Sequence, residues 1–289
     1  MNTDVFSTSI SIDSPAPPEK RRYESRTQSL SETIAETWER RELLFFLAWR
    51  EILLRYKSTS LGIAWALFQP VSATLVFSVL FGKFAKLSSD GVPYAAYAFA
   101  GLLPWQFFLT VVNHSSRSLI QNQAIIRKVY FPRILFPLSN TLVALVDFSV
   151  SLALLLALML AIQTPITLKL ALLPVAILWL IATSVSVGIW LSVLTVRFRD
   201  LHHAIPILVQ LLFFLTPVAY SPSIVPEPWS FFMGLNPMVG VVDAFRSLFF
   251  DSITPNLSHW AWSFGMTLTL FISGLKYFAK AERTLEDSL

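Results

Sequence analysis

The 289 residues are 54% hydrophobic and only 14% charged, which excludes an ordinary soluble domain, where about a quarter of residues carry charge. The formal net charge of +4 does not mark a nucleic-acid surface, because the basic residues lie mostly at the ends of hydrophobic runs. No cysteine is present, so disulfides, thiolate metal sites and thiol catalysis are excluded.

The chain opens Met1-Asn2-Thr3-Asp4-Val5, without a basic stretch leading into a short apolar one, so no cleaved signal peptide is expected. Residues 1–28 are rich in Ser, Pro and charge and cannot bury enough surface to offset ordering entropy; a disordered cytoplasmic tail is expected. From residue 29 to 60 the character changes. Ser29 and Glu32 form a capping-box pattern. Ile34, Trp38, Phe45, Trp49, Ile52 and Tyr56 then recur at helical steps, with Arg40, Glu42, Arg50, Glu51, Arg55 and Lys57 around them. The apolar run Leu43–Trp49 is far too short to span a bilayer, so the pattern predicts an amphipathic helix along the inner leaflet. A helix packed on another soluble domain is the other reading of this stripe.

Six longer apolar segments follow, at about 62–82, 95–112, 134–162, 170–195, 204–220 and 259–275. They predict an all-α integral membrane protein with six transmembrane helices. Pro70, Pro104, Pro174, Pro206 and Pro217 fall inside them, which membrane bundles tolerate because neighbours satisfy the freed carbonyls. Of the 22 Lys and Arg residues, 18 fall in the N-terminal arm, the second and fourth loops and the C-terminal tail (284–289 with the end of the last span). By the positive-inside rule both termini are then cytoplasmic. The stretch 221–256 mixes Pro and Gly with patches such as Phe231-Phe232-Met233, too broken to span and too apolar for a solvated loop. Re-entrant or interfacial helices on the outer face, before the last span, are expected there.

Catalytic patterns are missing from the sequence. There is no G-x-x-x-x-G-K-[ST] nucleotide loop, no H-E-x-x-H and no G-x-S-x-G. Asp200, His202 and His203 form the one acid–histidine cluster, read as boundary charge before a metal site. No enzyme is expected, and no metal or cofactor in this chain. Asp147 lies inside the third apolar segment, where a carboxylate needs a polar partner or a cavity. A functional group and a hydrogen-bonded helix contact are equal readings of it. Most aromatics fit an interfacial belt; Trp65, Phe107, Phe108, Phe213, Phe214 and Tyr220 could instead line a passage and stack on sugars.

The block Arg55-Tyr56-Lys57-Ser58-Thr59-Ser60-Leu61-Gly62-Ile63-Ala64-Trp65-Ala66-Leu67-Phe68-Gln69-Pro70 resembles the start of the first membrane helix in ABC-2 type permeases. It is most similar to the branch that exports polysaccharides and polyol phosphates, O-antigen and teichoic-acid exporters among them. Arg127-Lys128-Val129-Tyr130-Phe131-Pro132-Arg133, Arg197-Phe198-Arg199-Asp200-Leu201, and Leu235-Asn236-Pro237-Met238 followed by Asp243-Ala244-Phe245-Arg246 agree in order and spacing. The resemblance covers about residues 35–283 and leaves the first 30 outside it.

The resemblance implies a type V exporter-like membrane domain at 61–283, working as a homodimer with two copies of a separate cytoplasmic ATPase that binds ATP and Mg. It implies a bacterial inner-membrane location, membrane lipids around the dimer, and a lipid-diphosphate-linked polysaccharide as cargo. Trp49, Tyr56, Arg127, Lys128, Tyr130 and Arg133 would couple to the ATPase, with a coupling helix around Ser118–Tyr130. Asn236, Pro237 and Arg246 would belong to an outer gate in 221–256. Arg55 and Lys57 would attract the diphosphate at the cytoplasmic mouth, leading to a passage that includes Asp147. Teichoic acid, another lipid or a drug is the alternative cargo, and a membrane-embedded glycolipid enzyme the alternative class.

Overall fold

Long apolar runs give long helices, and the computed structural model is built of them. It describes residues 30–57, 64–128, 131–165 and 167–282, and among these there are helices but no strand. Four helices are long and apolar enough to cross a membrane: Leu67–Phe84, Tyr94–Gln121, Leu135–Ala161 and Leu168–Arg197. We label the α-helices in chain order: α1 (Leu30–Glu39), α2 (Arg41–Lys57), α3 (Ala64–Phe77), α4 (Tyr94–Gln121), α5 (Gln123–Ile126) and α6 (Leu135–Ala161). They continue with α7 (Leu173–Arg197), α8 (Leu201–Leu215), α9 (Glu227–Gly234), α10 (Pro237–Phe249) and α11 (Leu257–Glu282).

The two remaining predicted spans differ in kind. Helix α8 has 15 residues, about 22 Å at 1.5 Å per residue, short of the ~30 Å hydrocarbon core. Helix α11 has 26 residues and ample length, but His259, Lys276, Lys280 and a scatter of Ser and Thr dilute its apolar character. Two of the prolines mark ends rather than interiors. Pro174 sits at the first turn of α7, where its missing N–H costs nothing, and Pro217 lies just beyond α8. Pro104 is buried inside α4.

Helix α4 is the centre of the bundle: 78% of its apolar window is buried, against 11% for the first span. It packs chiefly on α6 and α7, and α7 in turn on α11. Small residues let α7 approach closely on both sides. A Cβ on Gly188 would lie 3.0 Å from Ser115 of α4, and one on Gly274 of α11 would lie 2.9 Å from the Trp190 ring. Polar side chains add interhelical bonds: Thr183 and Thr267 hydroxyls are 2.9 Å apart, and Trp179 Nε1 donates to Thr267 at 3.3 Å. The first span ends in a π-helical turn, Ser78–Phe84, and a tight Asp90-Gly91 turn with φ of 50° and 82° leads into α4.

The N-terminal segment expected as one amphipathic helix is two helices. Arg40 separates α1 from α2, and its carbonyl accepts from Leu43 N–H at 3.0 Å, a tighter i to i+3 step. Ser29 and the Glu32 side chain of the expected capping box lie outside the described residues. Toward the C-terminal third, Pro226 and Pro237 break the chain into α9 and α10. Asn236 caps α10, accepting from Met238 N–H at 3.0 Å, and donates to Thr216 Oγ1 at 2.8 Å. Helix α10 is buried along its whole length, from Met238 to Phe249.

Candidate functional site

The basic segments named above meet at one end of the bundle. Arg50 of α2 donates to Asn122 at 3.5 Å, and Arg117 of α4 donates to the His202 carbonyl at 3.2 Å. Arg133 is buried, its N–H bonded to Glu282 Oε1 at 3.0 Å and its Nη1 to the Glu282 carbonyl at 2.8 Å. These contacts join α2, the α4–α5 corner, the α7–α8 turn and the last turn of α11. At the opposite end Lys169 pairs with Asp251 at 2.7 Å, and Tyr94 donates to the Ala219 carbonyl at 2.6 Å.

From the basic end, α2 runs beside the first half of α6. Leu47 shares a cavity wall with Phe136 near the start of α6, and Arg55 reaches Asp147 eleven residues further on. Asp147 thereby finds a cation: Arg55 Nη1 lies 2.5 Å from Oδ2, with the two side chains 36% and 26% exposed. The Tyr56 hydroxyl donates to the other carboxylate oxygen. Burial, then the hydrogen bond to Asp147 and its negative charge, push the Tyr56 phenol above its ordinary value of 10.0, so it stays a donor at neutral pH. The carboxylate inside the third apolar segment is held by α2, two residues of which were singled out in sequence for different roles. The pairing was reachable from the rule that a buried carboxylate seeks a cation, but spacing across about 90 residues carries no signal of it.

The other singled-out residues scatter. Lys57 is exposed at the end of α2, and Trp49 is 60% exposed on its outer face. Arg127 and Lys128 are exposed just after α5, while Tyr130 and the Trp65 side chain lie outside the described residues. Ser118–Gln121 belong to the last turn of α4, so the expected coupling helix reduces to the four residues of α5 among the described residues. Phe107 and Phe108 are core side chains, 3% and 1% exposed; Phe107 packs edge-on to Phe148 at 5.6 Å. Phe213 packs on Trp105 and Phe77, with ring centroids 5.4 Å and 5.7 Å away. Phe214 is exposed, and the half-buried Tyr220 donates back to the Phe214 carbonyl at 3.1 Å. His202 and His203 stack on each other at 3.6 Å, and no cluster of three potential metal ligands occurs among the described residues.

At the opposite end Arg246 is 2% exposed and has no carboxylate within ion-pair distance among the described residues. Its guanidinium donates to the Pro217 carbonyl at 2.6 Å, the Tyr220 carbonyl at 3.3 Å and the Val218 carbonyl. Its other face lies 3.8 Å from the Tyr97 ring centroid, a cation–π contact. Gly101 of α4 makes the room: a Cβ there would meet Val218 O at 2.6 Å and Arg246 Nη2 at 2.7 Å. One turn earlier Asp243 accepts from Asn256 N–H at 3.0 Å and Trp260 Nε1 at 2.8 Å. Helix α10 thus ties the 216–220 link, α4 and α11 together. Gly101 escaped notice in the sequence because a lone glycine in an apolar run has many readings.

Comparison with known proteins agrees with this architecture. The profile of the ABC-2 type transporter family matches residues 42–250. An O-antigen export system permease protein RfbA of Myxococcus xanthus is 31% identical over 225 residues, covering 77% of this chain and 86% of that protein. One of the same name from Klebsiella pneumoniae is 27% identical over 249 residues, covering 86% and 95%. The polysialic acid transport protein KpsM of Escherichia coli is 25% identical over 205 residues, covering 68% and 77%. With the family profile spanning well over half of its length, and relatives aligned across most of the helices described above, this chain belongs to the ABC-2 type transporter family.

Proposed function

We propose that this chain is the membrane-spanning permease subunit of an exporter that moves lipid-diphosphate-linked polysaccharide, O-antigen-like, outward across a bacterial inner membrane. The observation that carries the reading is the pin between Arg55, Tyr56 and Asp147, joining an amphipathic helix with exposed aromatics to the middle of a spanning helix. Such a joint passes movement of a peripheral helix directly into the membrane bundle. Among the aligned relatives, two are named for O-antigen export and one for polysialic acid transport, which supports a polysaccharide cargo.

In this reading the chain works as a homodimer with two copies of a separate ATPase, which binds ATP and Mg; its own sequence has no nucleotide loop. Helices α8 and α11 complete six spans, α8 extended by residues 216–220. The end rich in arginine faces the cytoplasm with both termini, following the charge bias of the loops. Trp49 and the exposed Arg127 and Lys128 supply the ATPase-facing surface, and α9–α10 form the outer closure. The polar glycan cannot cross hydrocarbon unaided, since each unpartnered hydroxyl there costs several kcal/mol. ATP-driven tilting of α2, transmitted at Asp147, shifts the dimer between sealed and open states.

Depletion of the protein followed by fractionation of lipid-linked glycan by membrane side tests this reading. Full-length polymer accumulating on the inner face is expected. Absence of polymer on both sides would replace the exporter with an enzyme of synthesis, and an unchanged distribution would assign another cargo.

A further inference from the structure

Between α2, α4 and α6, on the basic side of Asp147, lies a cleft of about 240 Å³. It is lined by Glu51, Leu54 and Arg55 from α2, Thr110 and His114 from α4, and Asn140 and Val143 from α6. A smaller cavity of about 30 Å³, sharing Glu51, His114 and Asn140, continues toward the basic end. We propose that this cleft is a binding subsite for one neutral sugar ring of the cargo, the ring nearest its lipid diphosphate. The inference rests on the exporter reading above and adds where, within one protomer, the glycan is first held.

Charge decides against an anion. The arginine lining the cleft is already matched, Arg55 by Asp147 at 2.5 Å, and the lining Glu51 is matched by Arg50 at 3.5 Å. A phosphate drawn to Arg55 would have to displace Asp147 and leave that carboxylate without its cation at membrane depth. A cation would face the same balanced pairs with no spare negative charge. What remains unmatched is a set of polar side chains. Those of Thr110 and His114 make no hydrogen bond to any other described residue, and Asn140 uses only its Nδ2, donating to the Phe136 carbonyl at 3.1 Å. A threonine hydroxyl, an imidazole and an amide oxygen together offer both donors and acceptors. Sugar hydroxyls need that mixture, since each donates and accepts at once. Leu54 and Val143 supply apolar contact for the C–H face of a ring.

Size and depth agree. The volume is below the ~300–1,000 Å³ of drug-sized ligand pockets and suits a single hexose. The cleft lies along the first half of α6, between its basic-end start at Leu135 and Asp147. A lipid-anchored glycan whose tail stays in the bilayer presents its first sugar at that boundary, whereas distal sugars lie in water.

Photo-crosslinking in cells that make the polymer tests the subsite on the full chain. p-Benzoylphenylalanine is placed singly at Thr110, Asn140, Phe214 and Leu178, the last a 65% exposed residue of α7 serving as the lipid-side control. After irradiation the permease is purified and blotted for polymer. Polymer linked at Thr110 and Asn140 but not Leu178 is expected. Linkage at Phe214 alone, or at Leu178 as strongly as at Asn140, overturns the subsite and leaves the exporter standing. No linkage at any position, with polymer present in the cells, overturns both. A milder pair, Thr110→Val and Asn140→Leu, lowers surface polymer by about fivefold for each lost hydrogen bond while membrane abundance stays constant. Unchanged surface polymer in the double variant overturns the subsite independently of crosslinking.

Discussion

Two arginines, one bound halfway along α6 and one at the end of the bundle opposite the basic segments, are treated by the fold in opposite ways. Arg55 is partly exposed and neutralised by Asp147, with Tyr56 completing the carboxylate's shell. Arg246 is fully enclosed and satisfied by neutral carbonyls and an aromatic face. The partly exposed pair, with Tyr56 as a second donor to the carboxylate, is held less tightly than a fully enclosed group. A guanidinium seated on three carbonyls inside the protein cannot leave without stranding them. Arg55 thus sits in a partly exposed pair, whereas Arg246 holds the 217–220 link by three carbonyls.

The strongest way to break this contrast is Arg246→Met. It leaves the Pro217, Val218 and Tyr220 carbonyls without their donor, and a cost of about 3 kcal/mol or more is expected. Thermal unfolding of the purified protein in detergent reads it; a loss below 1 kcal/mol would show that Arg246 is replaceable. Gly101→Ala attacks the same clamp from α4 and is expected to cost roughly 1–3 kcal/mol, because its Cβ has no space beside Val218 O and Arg246 Nη2. The two substitutions share contacts, so their costs combine to less than the sum.

At the other end effects on stability are smaller and effects on export larger. A double-mutant cycle of Arg55→Met and Asp147→Asn should give a coupling of about 1 kcal/mol, reduced by the exposure of both groups. Export should fall further in either single variant than thermal stability does, and a reversed pair, Arg55→Asp with Asp147→Arg, should recover part of it. Tyr56→Phe removes one bond to Asp147 and should cost about 1 kcal/mol. The raised phenol sets the sign of its pH dependence: the contribution is full below the ordinary value of 10.0 and is lost only as pH rises through the higher folded value. A flat response of this bond from about pH 6 to 9 is therefore expected, and titration of the difference between wild type and Tyr56→Phe checks it. Asn236→Ala, which removes the α10 cap and the bond to Thr216 Oγ1, should likewise cost about 1 kcal/mol, less than Arg246→Met at the same end.

Much of this was legible in the linear order. Apolar runs located four helices that can cross a membrane, because burial in hydrocarbon demands about 20 consecutive apolar residues and leaves little freedom of interpretation. The broken stretch from Ser221 onward announced short helices through Pro226 and Asn236-Pro237, since proline and an Asn cap act locally. The helix before the first span was visible in its stripe, although its division at Arg40 was not. The dual character of α8 and α11, one short and one diluted, blurs a count that hydropathy alone made look uniform.

What the linear order could not decide is which side chains meet. Phe107 and Phe108 were candidates for a passage, yet α4 lies at the bundle centre and buries both side chains against protein. Arg55 and Asp147 were each conspicuous, but their meeting depends on how α2 lies along α6, which packing across 92 positions determines. Gly101 matters only because Arg246 arrives beside it from α10. Sequence by itself determined the solvent each segment prefers, because transfer free energy is a property of composition over a short window. Tertiary structure alone decided the partners, because hydrogen bonds and ion pairs depend on positions of a few ångströms that no local pattern encodes.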